Sequence, residues 1–100
     1  MQIIGEPLIC EFQAKHPNLA QPLSAWYHEA KRAKWKTPQD IKDRYATASF
    51  VGNHKVWFNI KGNNYRLLAH INYRLELVMV EWIGKHADYD RRNKKSRKGK

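Results

Sequence analysis

Cysteine is all but missing from this chain. Cys10 stands alone, which excludes an internal disulfide and any multi-cysteine zinc framework and suits a reducing compartment. A solitary cysteine of this kind is expected as a small buried apolar residue. The five histidines (His16, His28, His54, His70 and His86) include no i, i+4 pair of the type a helical zinc site uses, so no metal is expected. No apolar run approaches the roughly 20 residues of a membrane-spanning helix. The N-terminus also lacks the basic, apolar and small-residue blocks of a secretory signal. These absences lead to the expectation of a cytoplasmic protein with no membrane partner and no cofactor. At 100 residues and 11.9 kDa there is room for one domain, which would bury about 60–65% of its unfolded surface. A large multi-domain enzyme is excluded. Disorder is not expected either, since 42% of the residues are hydrophobic, four Trp and five Tyr among them.

Negative charge is also scarce. Nine acidic residues face 19 basic ones, leaving a net charge of +10 and a pI near 10.0, a balance that draws a small protein to polyanions before any specific contact forms. The surplus is uneven. Arg91, Arg92, Lys94, Lys95, Arg97, Lys98 and Lys100 put seven cations and no anion into the last ten residues. The other 12 basic residues meet nine acidic ones over positions 1–90, a surplus of three. A domain over 1–90 followed by a basic tail over 91–100 is therefore expected. Such a tail reads either as a solvated terminus or as an arm that holds RNA phosphates.

Hydrophobic periodicity divides the domain into helices followed by strands. Met1 to Ile4 can form a short strand, and Glu6-Pro7 opens a helix with Leu8, Ile9 and Phe12 on its buried side. Pro17 closes it. Pro22 starts the next helix, where Leu23, Trp26, Tyr27, Ala30 and Ala33 recur at three- and four-residue steps through Lys34. Thr37-Pro38-Gln39-Asp40 reads as an N-cap, a first-turn proline and an acidic third position, so a short third helix follows with Ile41 and Tyr45 turned inward. From Ser49 the period falls to two: Val56, Phe58 and Ile60 alternate with Lys55, Trp57 and Asn59. Gly62-Asn63 supplies a turn, Tyr65 to Tyr73 a second strand and Glu76 to Ile83 a third. The fold class is α+β: a small antiparallel sheet of three to four strands with two to three N-terminal helices packed on one face, leaving the other face free for a ligand.

The stretch Val56-Trp57-Phe58-Asn59-Ile60-Lys61-Gly62-Asn63-Asn64-Tyr65-Arg66-Leu67, followed by Ile83-Gly84-Lys85-His86-Ala87-Asp88-Tyr89-Asp90, resembles the HigB toxins of type II toxin-antitoxin systems. Phe12, Lys15, His16, Pro17, Leu23, Trp26, Trp35, Pro38, Asp40 and Ile41 also fall where that family places similar residues, so the resemblance covers most of positions 1–90. It implies a RelE-like fold and an endoribonuclease that cleaves mRNA, typically on the ribosome, neutralised by a HigA-like helix-turn-helix antitoxin. Lys85 departs from the family pattern, which usually has threonine there, and adds a positive charge beside the expected site.

Metal-free RNA cleavage turns the 2′-hydroxyl on the adjacent phosphorus, so a protein must take one proton, deliver another and stabilise charge on phosphate oxygens. Arg66 is the candidate for charge stabilisation, because a guanidinium offers a planar fork of donors and keeps its proton. The rival reading is an exposed strand arginine in a weak ion pair. His86 is the candidate for proton transfer, since an imidazole titrates near ~6.5; a structural hydrogen bond is its ordinary alternative. Tyr89, three residues on, either stacks on a base, donates its phenolic proton or packs in the core. Lys55, Lys61, Lys85, Arg91 and Arg92 are candidates for holding phosphates. Asp88 and Asp90 are expected to cap or to pair with Arg91. Trp57 and Tyr65 either stack on bases or belong to the core, while Trp26, Trp35 and Trp82 are assigned to packing. A non-catalytic RNA- or DNA-binding module, or a family member that has lost activity, is the alternative to a nuclease.

Overall fold

A computed structural model describes residues 1–52, 54–61 and 64–85. The chain opens with β1 (Gln2–Ile4) and turns at once into α1 (Glu6–Lys15). Gly5 makes that turn possible: its φ of +104° is left-handed, and a Cβ there would come within 2.9 Å of the Val80 carbonyl oxygen. Pro7 occupies the first turn of α1, where no N–H is required. Ile9 is buried, with Leu8 and Phe12 packed partly against the core. Cys10 is exposed, contrary to its expected burial. One residue past Ile9 is 100° around the helix, which turns the thiol away from the sheet and toward a hollow lined by Glu6, Gln13, Ser24 and Tyr27.

A 3₁₀ turn at Pro17–Leu19 leads directly into α2 (Ala20–Arg32). This helix starts before Pro22, which sits in its first turn, and ends before Lys34. Leu23, Trp26 and Ala30 form its buried stripe. α3 (Pro38–Arg44) carries a complete capping box: Asp40 N–H donates to Thr37 Oγ1 at 3.3 Å, and Thr37 N–H donates back to Asp40 Oδ2 at 3.2 Å. Ile41 is buried from this helix, and Tyr45 lies half-buried just after it.

The strands β2 (Ser49–Val51), β3 (Lys55–Ile60), β4 (Tyr65–Asn72) and β5 (Leu77–Lys85) complete the architecture. Among the described residues the sheet has five strands in the order β1-β5-β4-β3-β2, rather than three to four. The sheet is mixed, because β1 runs parallel to β5 while the other pairs are antiparallel. Both edges are three-residue strands: β1, expected at Met1 to Ile4 but not as a parallel partner, and β2, the additional one; the parallel pairing needs the helical layer in its crossover.

Among the described residues, α1, α2 and α3 lie on one side of the sheet. Phe58 marks the centre of that contact: it is fully buried, with ring centroids 5.3 Å from Trp26, 6.0 Å from Trp35 and 5.1 Å from Tyr45. Val56, Leu67, Ala69, Ile71, Val78, Val80 and Ile83 fill the rest of the covered face. The register shifts between Leu68 and Ala69, whose partners on β5 are Trp82 and Val80, so Glu81 is the extra residue of a β-bulge. Beyond the bulge Ile83 faces the core and Trp82 does not, the reverse of strict alternation from Val78 and Val80.

Candidate active site on the open face of the sheet

The face that the described helices leave uncovered is built from the residues between the core positions. Arg66 stands near one end of it on the central strand β4, paired across the strands with Asn59 on β3 and Gly84 on β5. It is only 7% exposed, the one polar or charged residue counted as buried among those described. A buried guanidinium has to be hydrogen-bonded. Its Nε donates to Asn59 Oδ1 at 2.8 Å, and Nη2 reaches Ser49 Oγ on β2 at 3.4 Å. Two neighbouring strands thus fix the direction of the fork, and the exposed strand arginine considered from the sequence is not what the fold contains.

Two indoles occupy the next row of this face, on either side of Leu68. Trp57 on β3, 5% exposed, meets Trp82 edge to face at a centroid distance of 5.5 Å. Both belong to the open face, so Trp57 is buried without joining the core between sheet and helices. Trp82 is half-buried here, apart from the core to which Trp26 and Trp35 belong.

The cationic candidates separate along the strands. Lys61 follows β3 and Lys85 ends β5 opposite Tyr65, both exposed and both at the Arg66 end of the sheet. Lys55 pairs with His70, four strand positions from Asn59 and so about 13 Å away along the sheet. Its Nζ lies 3.2 Å from Glu81 Oε1, and His70 Nδ1 lies 3.9 Å from Glu81 Oε2. Tyr65 falls on the helix side, 6.1 Å from the Phe12 ring and 5.9 Å from that of His16. His86, Tyr89, Arg91 and Arg92, together with Asp88 and Asp90, lie outside the described residues. Among the described residues no three His, Cys, Asp or Glu side chains gather to hold a metal ion, and no helix is long and apolar enough to cross a membrane.

Asn59 and Ser49, which hold Arg66, and Trp82, which lies beside it, were not singled out as site residues by sequence reasoning. Alternation with the core residues of β3 was the available signal for Asn59. For Trp82 the bulge removed it.

An α+β domain with one face of its sheet covered by helices, and an arginine set into the other, is the class of protein that fold and site define. Residues 19–92 match the family described as HigB_toxin, the RelE-like toxic component of a toxin-antitoxin system, and the chain belongs to that family. It is also 28% identical over 102 residues to a protein named mRNA interferase HigB from Escherichia coli O6:H1, an alignment that takes in 100% of this chain and 99% of the relative.

Proposed function

We propose that this toxin is an endoribonuclease that cleaves mRNA on the ribosome using protein groups alone, and so halts translation and growth. The observation that carries the reading is Arg66, sunk into the open face and aimed by Asn59 and Ser49. The name of the Escherichia coli relative, an mRNA interferase, supports the substrate.

In the proposed reaction the 2′-oxygen bonds to the adjacent phosphorus as its proton leaves to a base. The bond from phosphorus to the 5′-oxygen breaks, giving a 2′,3′-cyclic phosphate, and the departing oxygen takes a proton to become a 5′-hydroxyl. Arg66 stabilises the charge that grows on the non-bridging oxygens, where a fork of N–H donors acts most strongly away from bulk water. His86 transfers protons at cellular pH and Tyr89 assists by donating a proton or by stacking. Lys61 and Lys85 hold flanking phosphates, Lys55 a more distant one, and Arg91 and Arg92 begin a basic tail that adds affinity for RNA. The partners are mRNA, the ribosome and a HigA-like helix-turn-helix antitoxin, and the place of action is the cytoplasm.

Inducing the gene without its antitoxin and sequencing RNA 5′ ends tests this reading. New 5′ ends inside open reading frames, lost in Arg66→Ala and in His86→Ala while both proteins stay folded, are the expected result. Growth arrest without new RNA ends would instead favour the non-catalytic binding module. Deleting residues 91–100 should lower ribosome affinity and flatten its salt dependence, and unchanged co-sedimentation across a salt series would refute the role given to the tail.

A further inference from the structure

We propose that Trp82 is a stacking platform for the nucleobase next to the phosphate held by Arg66. This rests on the nuclease reading and assigns that site its base contact.

Four observations converge on Trp82. The bulge at Glu81 puts Trp82 on the open face, where it pairs with Leu68 and leaves the core to Ile83. Its indole then lies along the strand over Gly84: a Cβ on Gly84 would fall 2.4 Å from both Cη2 and Cζ2 of the ring. Real Cβ atoms do not approach that closely, so only glycine admits this placement. Gly84 is the direct cross-strand partner of Arg66, which sets the ring beside the guanidinium's place on the sheet. Trp57 meets the indole edge-on at an interplanar angle of 77° and restrains it from the β3 side.

The arrangement suits an unpaired base. A large π surface, half-buried and braced by a second indole, loses little freedom when a base settles on it. Single-stranded nucleic acid is gripped in general by cations along the backbone and aromatic rings under the bases, and here one of each occupies diagonal positions of β4 and β5, with the ring leaning toward the arginine's partner Gly84.

The test uses the full chain and a single-stranded RNA that is 2′-O-methylated throughout, which blocks the attacking hydroxyl so that binding is read without cleavage. A companion set carries one abasic nucleotide at each position in turn. Trp82→Leu should weaken binding of the intact RNA about tenfold, and Trp82→Phe should restore most of the loss. At one position the abasic RNA should weaken wild-type binding by a similar factor yet bind the Leu variant no worse than intact RNA does. Wild-type tryptophan fluorescence should also be quenched by the RNA, with the quench reduced in Trp82→Phe, a reading independent of whether the Leu variant folds. Trp82→Leu binding like wild type, the same loss on abasic and intact RNA at every position, or a quench that persists in Trp82→Phe would overturn the platform. None of these bears on whether RNA is cut, which the 5′ ends decide separately.

Discussion

Neighbouring residues of the same strands serve two different purposes in this domain. On β3, Val56, Phe58 and Ile60 point into the helices, while Trp57 and Asn59 point away from them; on β4, Leu67, Ala69 and Ile71 alternate with Arg66, Leu68 and His70. The covered face holds only apolar side chains from these strands, apart from the half-buried Tyr65. The open face gathers a guanidinium, an amide, two indoles and an ion-paired lysine. Burial therefore means different things on the two sides. Phe58 is buried because helices lie over it, and its energy is that of packing. Arg66 is buried on the open face, where the oxygens of Asn59 and Ser49 accept from it, so its burial fixes a direction. Mutations on one face should accordingly read out as stability and on the other as activity.

The largest effect is expected at the centre of the covered face. Phe58→Ala removes the ring that Trp26, Trp35 and Tyr45 share and should cost about 3–5 kcal/mol. Much of the stability of a domain this size would be lost, and urea titration should show the midpoint collapse. A loss below about 1 kcal/mol, well under the range for such a truncation, would mean that the helices do not depend on this contact.

On the open face the effect should appear in rate. Arg66→Ala is expected to lower RNA cleavage about 10²–10³-fold, and Arg66→Lys to recover little of it, because an ammonium cannot keep the donation to Asn59 and present a fork as well. Lys55→Ala, whose lysine is already occupied by Glu81 about 13 Å along the strand, should change cleavage by less than about threefold. Equal losses from the two alanine variants in a single-turnover assay would erase the distinction between the two ends of this face.

The same alternation explains what could be read before any coordinates. Period two over Lys55 to Ile60, and the motif around Arg66, identified the strand and its charged residue; Thr37 through Asp40 announced α3 with its cap in place. These signals are local. The parallel pairing of Gln2–Ile4 with Leu77–Met79 is not, since nothing in either segment names a partner more than 70 residues away. Alternation counted from Val78 and Val80 carries position 82 inward, which agrees with the packing role expected of Trp82 but not with its place on the open face. One unpaired residue, Glu81, reversed that phase, and a bulge leaves no local mark that distinguishes it from an ordinary strand residue. Cys10 was misplaced for a simpler reason: residue type suggested burial where helical phase dictated exposure.

The smallest effect concerns how firmly the helical layer is fastened, and it should leave cleavage untouched. Thr37→Ala removes one half of the capping box on α3 and should cost about 1 kcal/mol, lowering the thermal midpoint by about 4–8 °C. Asp40, the other half, has its carboxyl held below the usual value of 3.8, chiefly because the Lys36 N–H donates to it at 2.9 Å, with the Thr37 N–H adding to the effect. A carboxylate whose folded pKa is depressed contributes stability that is complete above its unfolded value and fades as the pH falls through its folded one. The wild type should therefore lose thermal stability on acidification below about 4, over and above the loss shown by Asp40→Asn, which has no proton to take up at that position. Wild type and Asp40→Asn losing stability in parallel across that range would show that the cap contributes nothing through its charge. Cleavage measured well below the midpoint should be the same in Thr37→Ala, Asp40→Asn and wild type, because Thr37 and Asp40 bond within the cap of α3, whereas Arg66 is held by Asn59 and Ser49 on β3 and β2.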